Sequence, residues 1–484
     1  MVFSSIIFLG LFLPVVFGIY CLAPRRLQNH VLLLASIIFY AWGETRFVAL
    51  VLVSILANFW LAKAIHRGRR RRTLLAVAIG FNLLPLFVFK YGNFFVDNLH
   101  ALAGLFGIAT WTLAPIALPI GISFYTFHAI SYLIDIYRRN VDPNRHLGQY
   151  GLYILYFPQL IAGPIIRYKD IHTQLPARTT SRDDITRGIV RFTMGLAKKV
   201  LIANELGQVA DAGFDVPAAS LGAPVAWLCL VCYAGQIYFD FSGYSDMAIG
   251  LARMFGFRFP ENFNYPYSAR SLQDFWRRWH ITLSTWFRDY VYIPLGGNRG
   301  GRARTLVNLW LVFLLTGLWH GASWNFVVWG AIHGSFLIIE RLGRVPGAAG
   351  VAGRQAAQWL TVLLVRNLYT MLVVMLAWVF FRASSLPQAI DYVLALAGHW
   401  PDSQATVAWD SVYSPRIGLL IAVATLLSVG AYRHLSRALQ PAWQALSRAH
   451  CDGWARAIPV ASMLIASLMS IALGKYNPFI YFRF

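Results

Sequence analysis

Apolar runs follow one another from Ser5 to Leu473, with no long polar block between them. Those that read as helices crossing or entering a bilayer cover residues 4–22, 30–43, 46–65, 74–94, 115–137, 187–206, 223–251, 305–319, 324–341, 358–381, 415–433 and 457–474. A hydrocarbon core about 30 Å thick takes about 20 helical residues. Several of these runs are too short to cross alone. The pattern predicts about 11–13 helices, partial ones included, in an all-α polytopic integral membrane protein.

Two stretches break the pattern. Phe157-Pro158-Gln159-Leu160-Ile161-Ala162-Gly163-Pro164 puts two prolines and a glycine inside apolar sequence, which interrupts a helix. Irregular backbone at membrane depth survives only where protein or a water-filled cavity satisfies it. A re-entrant segment lining a cavity is one reading; an interfacial loop is the other. Residues 253–304 hold nine arginines, no lysine and three acidic residues, together with Trp276, Trp279 and Trp286. Drawn as one helix, 275–290 puts Phe275, Trp276, Trp279, Leu283, Trp286, Phe287 and Tyr290 on one side. Arg277, Thr282, Thr285, Arg288 and Asp289 fall on the other. The expectation is an amphipathic helix at the interface. Pro401–Pro415 is the best candidate for a larger extramembrane loop.

Composition agrees. Of 484 residues, 58% are hydrophobic and 13% charged, where a soluble chain is nearer half and a quarter. We read 1–484 as one membrane domain, with N-terminal helices at 1–95, a core at 115–342 and C-terminal helices at 358–475. The first run, Ile6–Tyr20, lacks a basic flank and a cleavage site, so it is expected to stay as a span. Net charge is +22. Nucleic-acid binding is not the expected cause, because the basic clusters alternate with spans. Arg25-Arg26, the run His66–Arg72 and Arg138-Arg139 fit cytoplasmic loops, with the N-terminus and the loop near 96–114 on the opposite side. A basic cytoplasmic face would also attract an anionic donor.

Cys229 and Cys232 form a C-x-x-C inside an apolar run, and no second pair exists. They read as packing residues, and no metal site is expected. Of twelve histidines, only His128, His280, His320 and His333 lie in apolar surroundings. If the helix ending at His320 starts near Arg304, His320 lies about 22 Å along it, short of a full crossing. An ionisable residue inside the membrane is a functional candidate. The alternative is a histidine that only hydrogen-bonds between helices. His280 falls on the apolar side of the 275–290 wheel. It reads either as orienting a reacting group or the base, or as a packed residue. His333 is 13 residues after His320, about 220° around a straight helix. It and His128 read as packing or supporting residues. Asp135, Asp240 and Asp246 are intramembrane carboxylates. With many arginines nearby they read as structural ion pairs, with proton coupling as the alternative. A Gly-x-Ser-x-Gly elbow, a Walker loop and a His-x4-Asp pair are all absent from the sequence.

Five stretches carry a resemblance: Leu118–Tyr125, Tyr238–Met247, Phe275–Tyr290, Gly317-Leu318-Trp319-His320-Gly321 and Pro478–Phe484. Together they resemble the membrane-bound O-acyltransferase (MBOAT) family. Within it they are nearest the bacterial membrane subunits of alginate O-acetylation. The likeness runs from Met1 to about residue 345 and is looser beyond. The resemblance implies helices around a central funnel or tunnel, and it maps the family's invariant histidine onto His320 and its second polar position onto His280. It implies an acetyl group taken from a cytoplasmic donor, such as acetyl-CoA, and passed across the bacterial inner membrane to periplasmic acetyltransferase partners. No resident cofactor is implied.

The expected mechanism has His320 as general base, for which a near-neutral imidazole suits, or as the residue that takes the acyl group. His280 positions or polarises the carbonyl. Arg277, Arg278 and Arg288 hold donor phosphates. Trp279 and Trp319 flank the histidines as further substrate contacts. D-alanyl transfer from an acyl carrier protein is an alternative on the same residues. A polytopic transporter and a non-catalytic scaffold are rivals from other classes.

Overall fold

The computed structural model describes residues 1–108, 114–343, 356–399, 406–431, 452–474 and 476–478, with side chains for these except 356–363 and 452–456. The described residues form helices and connecting turns, with no strand. Part of the Pro401–Pro415 stretch, most of the Pro478–Phe484 motif, His434, His450 and Cys451 lie outside them.

In chain order the main helices are α1 (Phe8–Leu22), α2 (Gln28–Gly43), α3 (Val48–Arg67), α4 (Arg71–Leu105), α5 (Ile122–Tyr137), α6 (Leu147–Leu155), α7 (182–214) and α8 (Ala223–Met254). Then come α9 (Leu272–Trp276), α10 (Ile281–Phe287), α11 (Gly301–His320), α12 (Trp324–Arg341), α13 (Ala356–Arg382), α14 (Leu386–Leu396), α15 (Pro415–Ser428) and α16 (Asp452–Ala472). Among the described residues, Thr45–Arg67, Arg71–Leu105, Ala223–Met254 and Leu364–Arg382 are long and apolar enough to cross a bilayer. The chain is a polytopic membrane protein.

The helix bounds follow the hydropathy closely, with instructive exceptions. α12 has the bounds of the expected run 324–341. α4 does not stop at residue 94: a π turn at Phe87–Tyr91 carries it on to Leu105, into the expected loop. α5 begins only at Ile122 because Gly121 has φ +75°. A side chain there would stand 2.7 Å from the Leu160 carbonyl oxygen. Glycine alone suits both conditions. α14 corresponds to none of the expected runs, because 11 residues are too few to cross. Its start is nonetheless marked by Ser385, whose hydroxyl accepts from the Gln388 N–H.

The chain forms two compact units. The first comprises Met1–Phe192 and Met247–Pro260, the second Thr193–Asp246 and Glu261–Phe484. Two of the boundaries fall within α7 and α8, and the third falls in the loop after α8.

In the first unit α5 is buried on every side, as its apolar periphery requires. Arg71 closes its C-terminal end by donating to the Tyr137 carbonyl at 2.5 Å and the Ile136 carbonyl at 3.3 Å. One arginine of the expected cytoplasmic cluster therefore also caps a helix. The outward faces of α3 carry exposed Val53, Leu56 and Trp60, suited to lipid. The segment Phe157–Pro164 does not have the exposure of an interfacial loop. It is buried throughout, with a short helix at Phe157–Leu160. Side chains bond its backbone at the start and just beyond its end: the Phe157 N–H donates to Ser36 Oγ at 3.1 Å, and Tyr153 donates to the Ile166 carbonyl at 3.0 Å. His128 belongs to this unit, with its ring 5.5 Å from that of Tyr153.

In the second unit α8 runs through the core. Cys229 and Cys232 are fully buried among apolar neighbours. The intramembrane carboxylates of α8 are ion-paired as expected, but with lysines rather than arginines. A π turn at Lys198–Ala203 in α7 brings two successive lysines to α8. Lys198 meets Asp246 at 2.6 Å and Lys199 meets Asp240 at 2.9 Å. Lys199 also donates to the Pro478 carbonyl, and Tyr476 donates to Asp211. The last described residues are thus held by the same buried polar cluster.

α11 and α12 pack backbone against backbone. Gly317 faces the Phe326 carbonyl and Gly330 faces the Phe313 carbonyl, each too near for a Cβ.

Two outcomes follow for stability. Gly317→Val and Gly330→Val should each abolish the monodisperse peak of the detergent-extracted protein in size-exclusion chromatography, since the obstructing atoms are backbone. Lys199→Met should cost about 3–5 kcal/mol by removing one partner of a buried pair. Lys199→Met/Asp240→Asn should recover most of that loss in thermal unfolding.

Candidate active site

His320 is the last residue of α11, and Gly321, in extended conformation, ends the helix. The chain then turns through Ala322-Ser323 into α12. Because the glycine contacts bring the two helices together, Trp329 of α12 comes back onto His320. Its ring centroid lies 5.1 Å from the imidazole, at 84° between planes. Trp319 lies 4.9 Å away and Phe381 of α13 5.0 Å, also near perpendicular. Three aromatic rings therefore box one imidazole. They set its plane and shield it from water.

Exposure separates the histidines of this unit. His320 keeps 8% of its surface accessible, while His280 and His333 keep none. His333 sits behind the box, 4.9 Å from Trp329. Trp276 Nε1 donates to His333 Nδ1 at 3.3 Å. An indole N–H can only donate, so His333 carries its own proton on Nε2. The helical-wheel separation of His320 and His333 does not apply, because the helix is interrupted at residues 321–323 and the two residues are on different helices.

The 275–290 segment is not one helix. α9 ends at Trp276, α10 begins at Ile281, and His280 between them has φ +43° and ψ +54°. The cause is a non-local pairing with the loop after α8. Asn264 N–H donates to the Arg278 carbonyl at 2.9 Å, and Ile281 N–H donates to the Asn262 carbonyl at 2.9 Å. Those groups are thereby taken out of a continuous helix. The apolar side of the wheel is buried as expected, from Phe275 to Tyr290. Thr282 and Asp289, expected on the polar side, are buried too. Thr282 bonds Asn262, and Asp289 pairs with Arg288.

His280 is held on several sides. Its ring meets Phe241 of α8 edge to face at 4.7 Å and lies 6.3 Å from Trp319. Its Nδ1 is 3.1 Å from Asn262 Oδ1. Trp319 is thus flanked by both histidines. Asn262, Phe241, Trp329 and Phe381 were not singled out by the sequence. Asn262 sits in an ordinary-looking Pro-Glu-Asn loop, and the aromatic residues are a few among many.

The other expected site residues divide by burial. Trp279 is enclosed, stacked on Phe275 at 5.5 Å and against Trp378 at 5.0 Å. Arg277 is exposed. Arg278 pairs with Asp274 at 2.8 Å and Arg288 with Asp289 at 2.8 Å, both at accessible positions. Asp240 and Asp246 flank Phe241 on α8 and are the lysine-paired carboxylates described above.

Comparison with known proteins identifies the site's family. The model of the membrane-bound O-acyltransferase family matches residues 142–345, which include both His280 and His320. The chain is 40% identical to a probable alginate O-acetylase of Azotobacter vinelandii, and 41% identical to one of Pseudomonas putida, over all of both chains in each case. It is 37% identical to a peptidoglycan O-acetyltransferase of Helicobacter pylori, over 82% of this chain and 80% of that one. Likeness of that extent means that the chain belongs to the membrane-bound O-acyltransferase family and is an O-acyltransferase.

Proposed function

We propose that this enzyme takes the acetyl group of acetyl-CoA at the cytoplasmic side of a bacterial inner membrane and serves the O-acetylation of an exopolysaccharide such as alginate, with periplasmic acetyltransferases as partners. The full-length likeness to probable alginate O-acetylases supports the substrate class. The observation that carries the catalytic assignment is the difference in exposure. Of the three histidines around Trp319 and Trp329, only His320 retains accessible surface.

In this reading His320 is the general base. A hydroxyl of the acceptor loses its proton to the imidazole, and its oxygen attacks the thioester carbonyl carbon. The C–S bond of the tetrahedral adduct then breaks. The departing thiolate takes the proton back from the imidazolium, leaving acetyl ester, thiol and neutral His320. The aromatic box supports this role in two ways. It holds the ring in one orientation, which is most of what a proton transfer needs. It also keeps bulk water from competing with the acceptor for the thioester. Acetyl-CoA is consumed as a substrate, and no resident cofactor is required.

The donor carries several negative charges. Arg277, Arg278 and Arg288, with their accessible guanidinium groups, are the proposed phosphate contacts. Trp319, wedged between the two histidines, is the proposed wall of the acyl position.

Two measurements test the proposal. His320→Ala should lower acetyl transfer from acetyl-CoA at least about 10³-fold, with extraction and elution from size-exclusion chromatography unchanged. Retained transfer would refute the assignment. Arg277→Ala should raise KM for acetyl-CoA by about tenfold and leave kcat unchanged, since a charge-assisted contact to the donor is worth about 1.5–3 kcal/mol. An unchanged KM would remove Arg277 from the donor site.

A further inference from the structure

Asn262 is buried and stands 18 residues before His280 in the chain, yet it touches His280 directly. Two donors and one ring nitrogen converge on its Oδ1: the Thr282 N–H at 3.3 Å, the Thr282 hydroxyl at 2.9 Å and His280 Nδ1 at 3.1 Å. Its Nδ2 donates to Ser245 Oγ on α8 at 3.0 Å. Its own carbonyl accepts from the Ile281 N–H at 2.9 Å. The side-chain amide and the backbone of one residue thus hold His280 and the two residues that follow it.

This arrangement fixes a proton. A backbone N–H is an obligatory donor, so the amide atom facing Thr282 must be the oxygen. Turning the amide over would set two donors against each other. With Oδ1 fixed as an acceptor, His280 Nδ1 must carry hydrogen to bond it. In the neutral ring the lone pair is then on Nε2. A carbonyl is polarised by a donor. An imidazole with its proton committed to Asn262 offers an acceptor instead.

We propose that Asn262 is a positioning residue for acyl transfer: it locks neutral His280 as the Nδ1–H tautomer, so that Nε2 of His280 accepts a hydrogen bond during the reaction and does not act as the donor that polarises the acyl carbonyl. The inference rests on the reading of this histidine pair as the acyltransferase site. It assigns His280 a partner class, an O–H or N–H donor, and it excludes the oxyanion role that the sequence suggests for it. Ser245 and Thr282 complete the device. Ser245 receives the amide N–H, and Thr282 orients the amide oxygen.

The experiment compares Asn262→Asp, Asn262→Leu, His280→Ala and the double variant His280→Ala/Asn262→Leu, assayed with acetyl-CoA in membranes. Aspartate keeps an acceptor oxygen facing Nδ1, and leucine removes it at similar volume. Asn262→Asp should stay within about tenfold of the parent, whereas Asn262→Leu should lose about 10²-fold in kcat with KM for acetyl-CoA unchanged. The double variant should be no slower than His280→Ala alone. Full activity of Asn262→Leu beside an inactive His280→Ala would overturn the inference. So would equal losses in Asn262→Asp and Asn262→Leu that track a lowered melting temperature, which mark a purely structural role. Full activity of His280→Ala would instead sink the underlying reading of the pair. A direct measurement does not depend on the leucine variant folding. ¹⁵N spectra of histidine-labelled protein should contain the signature of a neutral Nδ1–H ring that vanishes in His280→Ala, and an Nε2–H signature at that position refutes the proposal.

Discussion

The contact between α11 and α12 has no room for side chains at its centre. Gly317 meets the Phe326 carbonyl and Gly330 meets the Phe313 carbonyl, backbone against backbone. Everything around His320 depends on that approach. Two helices joined by a three-residue break diverge unless something small lies between them. Here the glycines let Trp329 reach back to the imidazole at the end of the preceding helix, at 5.1 Å. A bulkier residue at Gly317 would move α12 outward and open the box. The reactive group is thus positioned by residues with no chemistry of their own.

A second constraint comes from the solvent. Inside a bilayer no water is at hand for polar groups, so each must find protein. The second unit meets this with short closed circuits. Lys199 and Asp240 pair at 2.9 Å and are almost wholly buried. Asn262 spends both ends of its amide within one loop and two helices. A buried pair of charges is weak evidence for stability, since desolvation opposes the attraction. Its contribution here is register: the lysines fix α7 along α8, and α8 presents Phe241 to His280. A proton-coupling role for Asp240 and Asp246 would require breaking those pairs. The membership of an acyltransferase family gives no reason for it.

The sequence made most of the helices legible, because hydropathy is a local property read over twenty residues. α12 has the bounds that the apolar run predicts. His320 also emerged locally, from a histidine at the end of an apolar run beside Gly-Ala-Ser. What stayed hidden was non-local. The break at His280 arises because Asn262 and Asn264 take backbone partners from 278–281, and a periodicity argument along 275–290 contains neither asparagine. The lysine partners of Asp240 and Asp246 were missed for a related reason. A π turn in α7 aims Lys198 and Lys199 inward, whereas the more numerous arginines sit at accessible positions.

The two histidines solve different halves of one problem. The proposed base must be reachable, and His320 keeps 8% of its surface open. An accessible base is exposed to water, which would waste the donor. The enclosure supplied by Trp319, Trp329 and Phe381 limits that access. His280 has the opposite condition. It is sealed, and its proton is committed to an asparagine. Trp319 lies between them, 4.9 Å from one ring and 6.3 Å from the other. A shift of that indole is the step that would change both environments at once. One side chain, the proposed wall of the acyl position, therefore packs beside both imidazoles.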